Sequence, residues 1–210
     1  VIGAILLSGA DRIFADPTQA IRRGSLPAGA SPVIITEFMA SNASGLTDED
    51  DDRPDWIELY NRSVSTVNLE GWTLTDDPAQ PDKWTFRPLT LESGARTIVF
   101  ASGKNRRTIE PEEGRRYPHT NFKLAASGGF LGLYSPTSLR YLTASEFTYP
   151  VQYPDISYGI VADEAGAAHE VYFEQPTPAA ENDGVETWVG LLEPVEMSAP
   201  HGLYATPFTL

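Results

Sequence analysis

The chain has no cysteine. That single absence removes disulfides, thiolate zinc sites and cysteine nucleophiles, so packing alone must hold the fold, while the compartment stays open. Histidine is scarce as well: His119, His169 and His201 are far apart, and none forms the close pair that a histidine zinc site needs. No apolar run approaches the ~18 residues of a membrane span. Base is missing from the last third, because residues 141–210 hold eleven acids and no Lys or Arg, whereas residues 1–140 hold all fifteen bases against eighteen acids. The net charge of −14 is therefore local, and it excludes a generic polyanion-binding role for the whole chain. What is abundant points elsewhere. Seventeen Gly, seventeen Pro, nine Tyr, nine Phe and four Trp in 210 residues make a turn-rich, aromatic composition typical of an all-β domain.

The pattern along the chain agrees. Residues 1–31 read as a leader or linker segment: Val1-Ile-Gly-Ala-Ile-Leu-Leu7 suits a clipped leader, a cloning remnant or a buried edge strand, and a short helix is expected around 18–23. Strands are expected at 33–39, 55–61, 66–69, 72–75, 83–86, 96–101, 130–134, 139–149, 156–160 and 170–173, each bounded by Gly, Pro, Asp or Asn. The first of these is expected to bury one face. No amphipathic helix of three turns competes with them, so the expectation is a β-sandwich over 32–182. The Pro-rich stretch 175–184 reads as a domain-ending linker, and 183–210 as a linker and the opening of a further β-module.

Several segments, taken in order, resemble one family. They are Ile35-Thr-Glu-Phe-Met-Ala-Ser-Asn42, Pro54-Asp-Trp-Ile-Glu-Leu-Tyr-Asn61, Val67-Asn-Leu-Glu-Gly-Trp-Thr-Leu-Thr-Asp-Asp77, Lys83-Trp-Thr-Phe86, Ile98-Val-Phe-Ala-Ser-Gly-Lys104 and His119-Thr-Asn-Phe-Lys-Leu124 before Gly128-Gly129. Together they resemble the bacterial version of the lamin-tail domain over roughly 32–182, with a longer stretch at 104–118 than a minimal member has. The resemblance implies an immunoglobulin-like β-sandwich. The tail from Glu193 to Leu210 is similar to the start of small β-sandwich modules that follow lamin tails in bacterial surface proteins, which implies a piece of a larger exported chain.

Two loops carry the candidate chemistry. Asp48, Asp50 and Asp52 keep the alternate spacing of oxygen-ligand calcium loops, and Asp55 or Glu58 could add a carboxylate. The EF-hand pattern fails, since Arg53 stands where the turn Gly belongs and Leu59 where the bidentate Glu belongs. The loop is thus either a Ca²⁺ site or solvated acidic surface, and no cofactor is otherwise required. Lys104, Arg106, Arg107, Arg115, Arg116 and Lys123 crowd a second loop with Tyr117, His119 and Phe122, a set suited to gripping an anionic ligand by charge and stacking, or else to local pairing with Glu110, Glu112 and Glu113. Glu37 and Glu58, inside strands, could form an acid pair of the kind glycoside hydrolysis uses. Trp56, Trp72 and Trp84 sit among apolar neighbours and are expected in the core, with Trp188 the better candidate for an exposed or interface aromatic. The sequons Asn42-Ala-Ser44 and Asn61-Arg-Ser63 match the glycosylation pattern.

No complete catalytic set emerges. The expected function is a non-catalytic binding or scaffolding module of an exported, multidomain bacterial surface protein, serving adhesion or targeting, with a protein or polysaccharide partner and an extracellular or cell-surface location. Nucleic acid has no specific support in the sequence. The alternative is an accessory domain of a larger secreted hydrolase or nuclease, and a third reading gives the sandwich its own enzyme site around Glu37, Asp55 and Glu58.

Overall fold

A computed structural model describes residues 30–137, 141–162, 167–182 and 184–190. The expected leader, the helix around 18–23, His201 and the tail beyond 190 lie outside these residues. Among those described, twelve strands form: β1 Val33–Met39, β2 Asp55–Asn61, β3 Val67–Asn68, β4 Thr73–Thr75, β5 Trp84–Thr85, β6 Thr90–Leu91, β7 Arg96–Ala101, β8 Gly129–Pro136, β9 Tyr141–Tyr149, β10 Ser157–Ala162, β11 Ala168–Phe173 and β12 Thr187–Trp188. One 3₁₀ turn, Pro111–Glu113, is the helical content of the described residues, and no helix there is long and apolar enough to cross a membrane.

The strands are β-branched and aromatic runs cut by Gly, Pro and Asp, so each is too short to be stable alone and must be paired. A six-stranded sheet runs β12-β11-β10-β1-β2-β7, a four-stranded sheet runs β5-β4-β8-β9, and β3-β6 closes one side as a small third sheet. All the named strand pairs are antiparallel. Alternation then aims Val33, Ile35, Phe38, Ile57, Leu59 and Val99 from the first sheet at Leu74, Trp84, Leu131, Leu133 and Phe147 from the second, and these form one buried core. Phe38 ties the layers together, its ring meeting Phe147 edge-on at 5.3 Å and Tyr149 at 4.9 Å.

The first strand departs from expectation. β1 is buried on both faces rather than one, because loops cover the outer side of the six-stranded sheet. Met39, Trp56, Ile98 and Phe100 make a second apolar cluster there, roofed by Leu46 and Tyr117. Further along, the Pro-rich stretch read as a linker is instead a strap across the same face. Its Thr177 and Ala179 N–H groups donate to buried carboxylates of β1 and β2, and Asn182 Nδ2 donates to the Thr36 and Ile160 carbonyls. Prolines suit such a strap, since an extended segment that borrows acceptors from a sheet face needs few donors of its own. The sandwich also continues past 182, where β12 adds to the β11 edge and half-buried Trp188 packs on the core. Its aromatic ring is what earns that short segment a place in the fold.

Backbone closeness sets one glycine. A Cβ on Gly159 would lie 2.1 Å from the Thr36 carbonyl oxygen, because β1 carries a bulge at this point and presses on β10.

Candidate functional site

The acidic loop is built by its own first residue. Asp48 Oδ1 accepts the N–H groups of Asp50 at 2.9 Å and Asp52 at 3.1 Å, and the Asp48 N–H donates to the Asp52 carbonyl at 2.9 Å. This winding, with Asp51 at φ 61°, points alternate carboxylates to one side, as the spacing suggested. Oxygens of Asp48, Asp50 and Asp52 lie within 4.8 Å of one another, and so do ligand atoms of Asp48, Glu49 and His119. Either set has the hard-oxygen or mixed character a divalent ion would accept. A side-chain cation already stands at the first. Lys104 Nζ lies 2.5 Å from Asp48, 2.6 Å from Asp50 and 2.8 Å from Asp52. Burial would lower the Lys104 pKa, but the three carboxylates override it and raise it. Asp55 is elsewhere. Its Oδ2 accepts the Leu124 N–H at 3.2 Å, and burial pushes its pKa up to about 6.

The basic loop folds against this acidic one. The 105–106 backbone pairs with 119–120 through Asn105 N–H to Thr120 O at 2.9 Å and His119 N–H to Arg106 O at 2.7 Å, and Glu110 pairs with Arg115 at the far end. The predicted bases consequently separate into two groups. Lys104 and Arg106 are pinned by acids of the 48–52 loop, Arg106 to Glu49 and to Asp50 at 2.7 Å, and Arg115 is pinned by Glu110. Arg107 reaches only its neighbour Asn105, at 3.2 Å. Among the described residues, the exposed side chains of Arg116 and Lys123 make no hydrogen bond or close ion pair, although Lys123 acts on Asp55 by charge and its backbone bridges to Ser102. Lys123 shares a recess of about 330 Å³ with Asp52, Asp55, Ser102 and Lys104.

A relay that no local motif announced runs under both loops. The Ser102 hydroxyl meets His119 Nδ1 at 2.9 Å, and His119 Nε2 meets Glu49 at 3.0 Å. His119 is fully buried, which lowers its pKa and keeps it neutral, so the consistent arrangement has Nε2–H donating to Glu49 and Nδ1 accepting from Ser102. Glu49 itself is held low: against a burial that would raise it, its own backbone N–H, Arg106 and His119 all favour the carboxylate. The residue types are those of a nucleophile triad, but the surroundings are those of an anchor. Ser102 Oγ also takes the Lys104 N–H at 3.1 Å, and the Gly103 N–H is spent on the Phe122 carbonyl at 3.1 Å, so no adjacent pair of backbone donors faces the serine as an oxyanion hole would require.

Glu37 and Glu58 do face each other across β1 and β2, as their strand positions allowed. Both are fully buried under the strap. Glu37 accepts from Ser157, from the Thr177 hydroxyl at 2.7 Å and from the Thr177 N–H at 3.0 Å; Glu58 accepts from Thr36 and from the Ala179 N–H at 2.7 Å, with Arg96 Nε 3.3 Å away. Burial raises both, and for Glu58 the neighbouring Glu37 adds to it, reaching about 7. Every oxygen of the pair accepts at least one hydrogen bond from the fold, and both carboxylates lie fully buried beneath the strap.

The two sequons are structural too. Asn61 is fully buried, and its amide donates to the carbonyls of Ser65, Leu91 and Glu92. Asn42 Nδ2 donates to the Leu46 and Pro54 carbonyls. Neither nitrogen is free to carry a glycan. Trp56, Trp72 and Trp84 are buried, as expected.

An antiparallel sandwich whose buried carboxylates Glu37, Asp48 and Glu58 and buried His119 are engaged by its own fold is an immunoglobulin-like domain. The family model for the lamin tail domain matches residues 27–143, more than half of the chain. The chain belongs to the lamin tail domain family, which is generally non-catalytic. No curated protein matches it.

Proposed function

We propose that the domain is a non-catalytic binding module that engages an anionic polysaccharide through Arg107, Arg116 and Lys123, as part of an exported, multidomain bacterial surface protein that it serves in adhesion or targeting. The observation that carries this reading is the division of the bases. Lys104 and Arg106 are consumed in fixing the 104–123 segment against the acidic loop and Arg115 in pairing with Glu110 of its own segment, while Arg107, Arg116 and Lys123 are left without an ion pair among the described residues. A charged group with no ion pair among the described residues, held on a braced segment, loses little freedom when a ligand arrives. The polyanion meets this face by charge and is repelled by the acidic remainder, so binding is local and falls with salt. Lys104, its three carboxylates satisfied, supplies the cation that the loop's acids need, and Ca²⁺ is not required for the braced state.

The test is migration through native gels containing polygalacturonate or dextran. The domain is retarded by polygalacturonate and not by dextran, and 0.3 M salt abolishes most of the retardation, at a Debye length of roughly 5–6 Å. Equal migration in both gels at low salt overturns the reading.

A further inference from the structure

A second candidate site lies on the opposite side of the outer face, away from the 104–123 loop and independent of it. Arg96 opens β7 directly across from Tyr60 of β2, and its guanidinium stacks on that ring with Cζ 4.2 Å from the centroid. The side chain is only 11% exposed. Its closest acidic atom is Glu58 Oε1 at 3.3 Å, but Nε is out of alignment for a hydrogen bond, and that oxygen already accepts from Thr36. No described residue receives a hydrogen bond from this guanidinium. A guanidinium offers five donors in a planar fork, and a nearly buried one that has an ion pair with Glu58 but donates no hydrogen bond to a described residue has capacity left for a further acceptor. Beside it is a cavity of about 400 Å³ between the strap and β10, walled by Ile160 and Val185 and rimmed by Asn182 and Thr187. That volume is at the small end of ligand sites.

We infer that this cavity binds a monocarboxylate with a short aliphatic stem, its two oxygens on the Arg96 fork and its stem against Ile160 and Val185. The fork selects a planar carboxylate. Charge limits the ligand to one negative group, because Arg96 is the one base among the lining residues and Glu181 lines the cavity with it. Aliphatic walls select a branched stem over a hydroxylated sugar. Two sources present this chemistry, a free short-chain acid and the C-terminal residue of a peptide.

The experiment is a ¹H–¹⁵N titration of the whole chain with isovalerate, with its neutral amide, and with acetyl-Gly-Gly-Val as free acid and as C-terminal amide. Saturable shifts are expected at residues 160–162 and 184–187 with the acids, and at least about tenfold weaker binding of each amide, the worth of a charge-assisted pair. Tighter binding of the peptide acid than of isovalerate assigns the site to chain termini, and the reverse assigns it to free acids. Arg96→Lys, which keeps the charge and loses the fork, weakens the acid at least about tenfold. The inference is overturned by amides that bind as well as the acids, or by no saturable shift with either acid. Both outcomes are read on the wild-type chain and do not depend on how the variant folds.

Discussion

Glu58 makes the domain's stability depend on pH in an uncommon direction. In the unfolded chain this carboxyl titrates near 4.5; in the fold it is lifted to about 7, first by burial and then by the charge of Glu37. Asp55 is lifted from 3.8 to about 6, again by burial. A raised acid binds its proton more tightly when folded, so its contribution is fully present below the unfolded value and is lost as pH rises through the folded one. At about 1.4 kcal/mol per tenfold, the lift at Glu58 corresponds to about 3 kcal/mol between pH 4.5 and pH 8, and Asp55 adds a similar amount in a slightly lower window. Carboxylates held low by hydrogen bonds, among them Asp50, Asp77 and Asp155, act oppositely and only below about pH 4. Buried neutral His119 opposes the two raised acids as pH falls below its unfolded 6.5, but one histidine is outweighed by the pair, so the domain is more stable near pH 5 than at pH 8. Glu58→Gln isolates the effect, since the amide oxygen can still accept the Ala179 N–H and the Thr36 hydroxyl can turn to accept. Urea unfolding at pH 5 and pH 8 measures it: the variant gains as much as about 3 kcal/mol on the wild type at pH 8 and little at pH 5. A difference between the two proteins that does not change with pH would refute the reasoning.

Three further substitutions probe other parts of the account. Lys104→Met leaves Asp48 and Asp52 without their cation and Asp50 with Arg106 alone, so its melting temperature falls, and millimolar Ca²⁺ restores part of the loss while leaving the wild type unmoved; a wild type that Ca²⁺ stabilises by several degrees contradicts this. Asn61→Ala abandons the buried Leu91 carbonyl and the part-buried bonds to the Ser65 and Glu92 carbonyls and costs roughly 1–3 kcal/mol in urea unfolding, whereas no measurable loss would show that water replaces the amide. Gly159→Ala drives a methyl into the Thr36 carbonyl and the β1 backbone, and a soluble variant with an unchanged melting temperature would disprove the close packing at the β1 bulge.

Much of the architecture was legible because strand periodicity and turn chemistry are local signals. Val33–Met39, Asp55–Asn61 and Arg96–Ala101 occur where β-branched runs between breakers placed them. Two strands were missed for opposite reasons: Thr90–Leu91 is too short to show a period, and Thr187–Trp188 follows a Pro-rich stretch whose composition imitates a linker. The same composition hid the strap. Only the position of Glu37 and Glu58 on adjacent strands, buried and needing donors, explains why 174–182 lies down on the sheet. The acidic and basic loops were each visible as charge runs, but their union was not, since Lys104 meets Asp48 across 56 residues. The Ser102–His119–Glu49 relay has separations of 17 and 70 residues and leaves no motif to read. Arg96 had no local signal either, because its stacking on Tyr60 and its place beside the cavity are set in three dimensions.

The claim on which the functional account turns is that the six bases divide into braces and contacts. It is tested most directly by comparing the affinity for polygalacturonate and the melting temperature of two variants, one with Arg107, Arg116 and Lys123 all changed to Gln, the other Lys104→Gln. The account predicts that the triple variant keeps its melting temperature and loses at least about tenfold in affinity, as expected for three fewer counterion-releasing contacts, while Lys104→Gln melts lower and, below its transition, still binds. A triple variant that binds like the wild type, or a Lys104→Gln protein that stays folded and fails to bind, would contradict it.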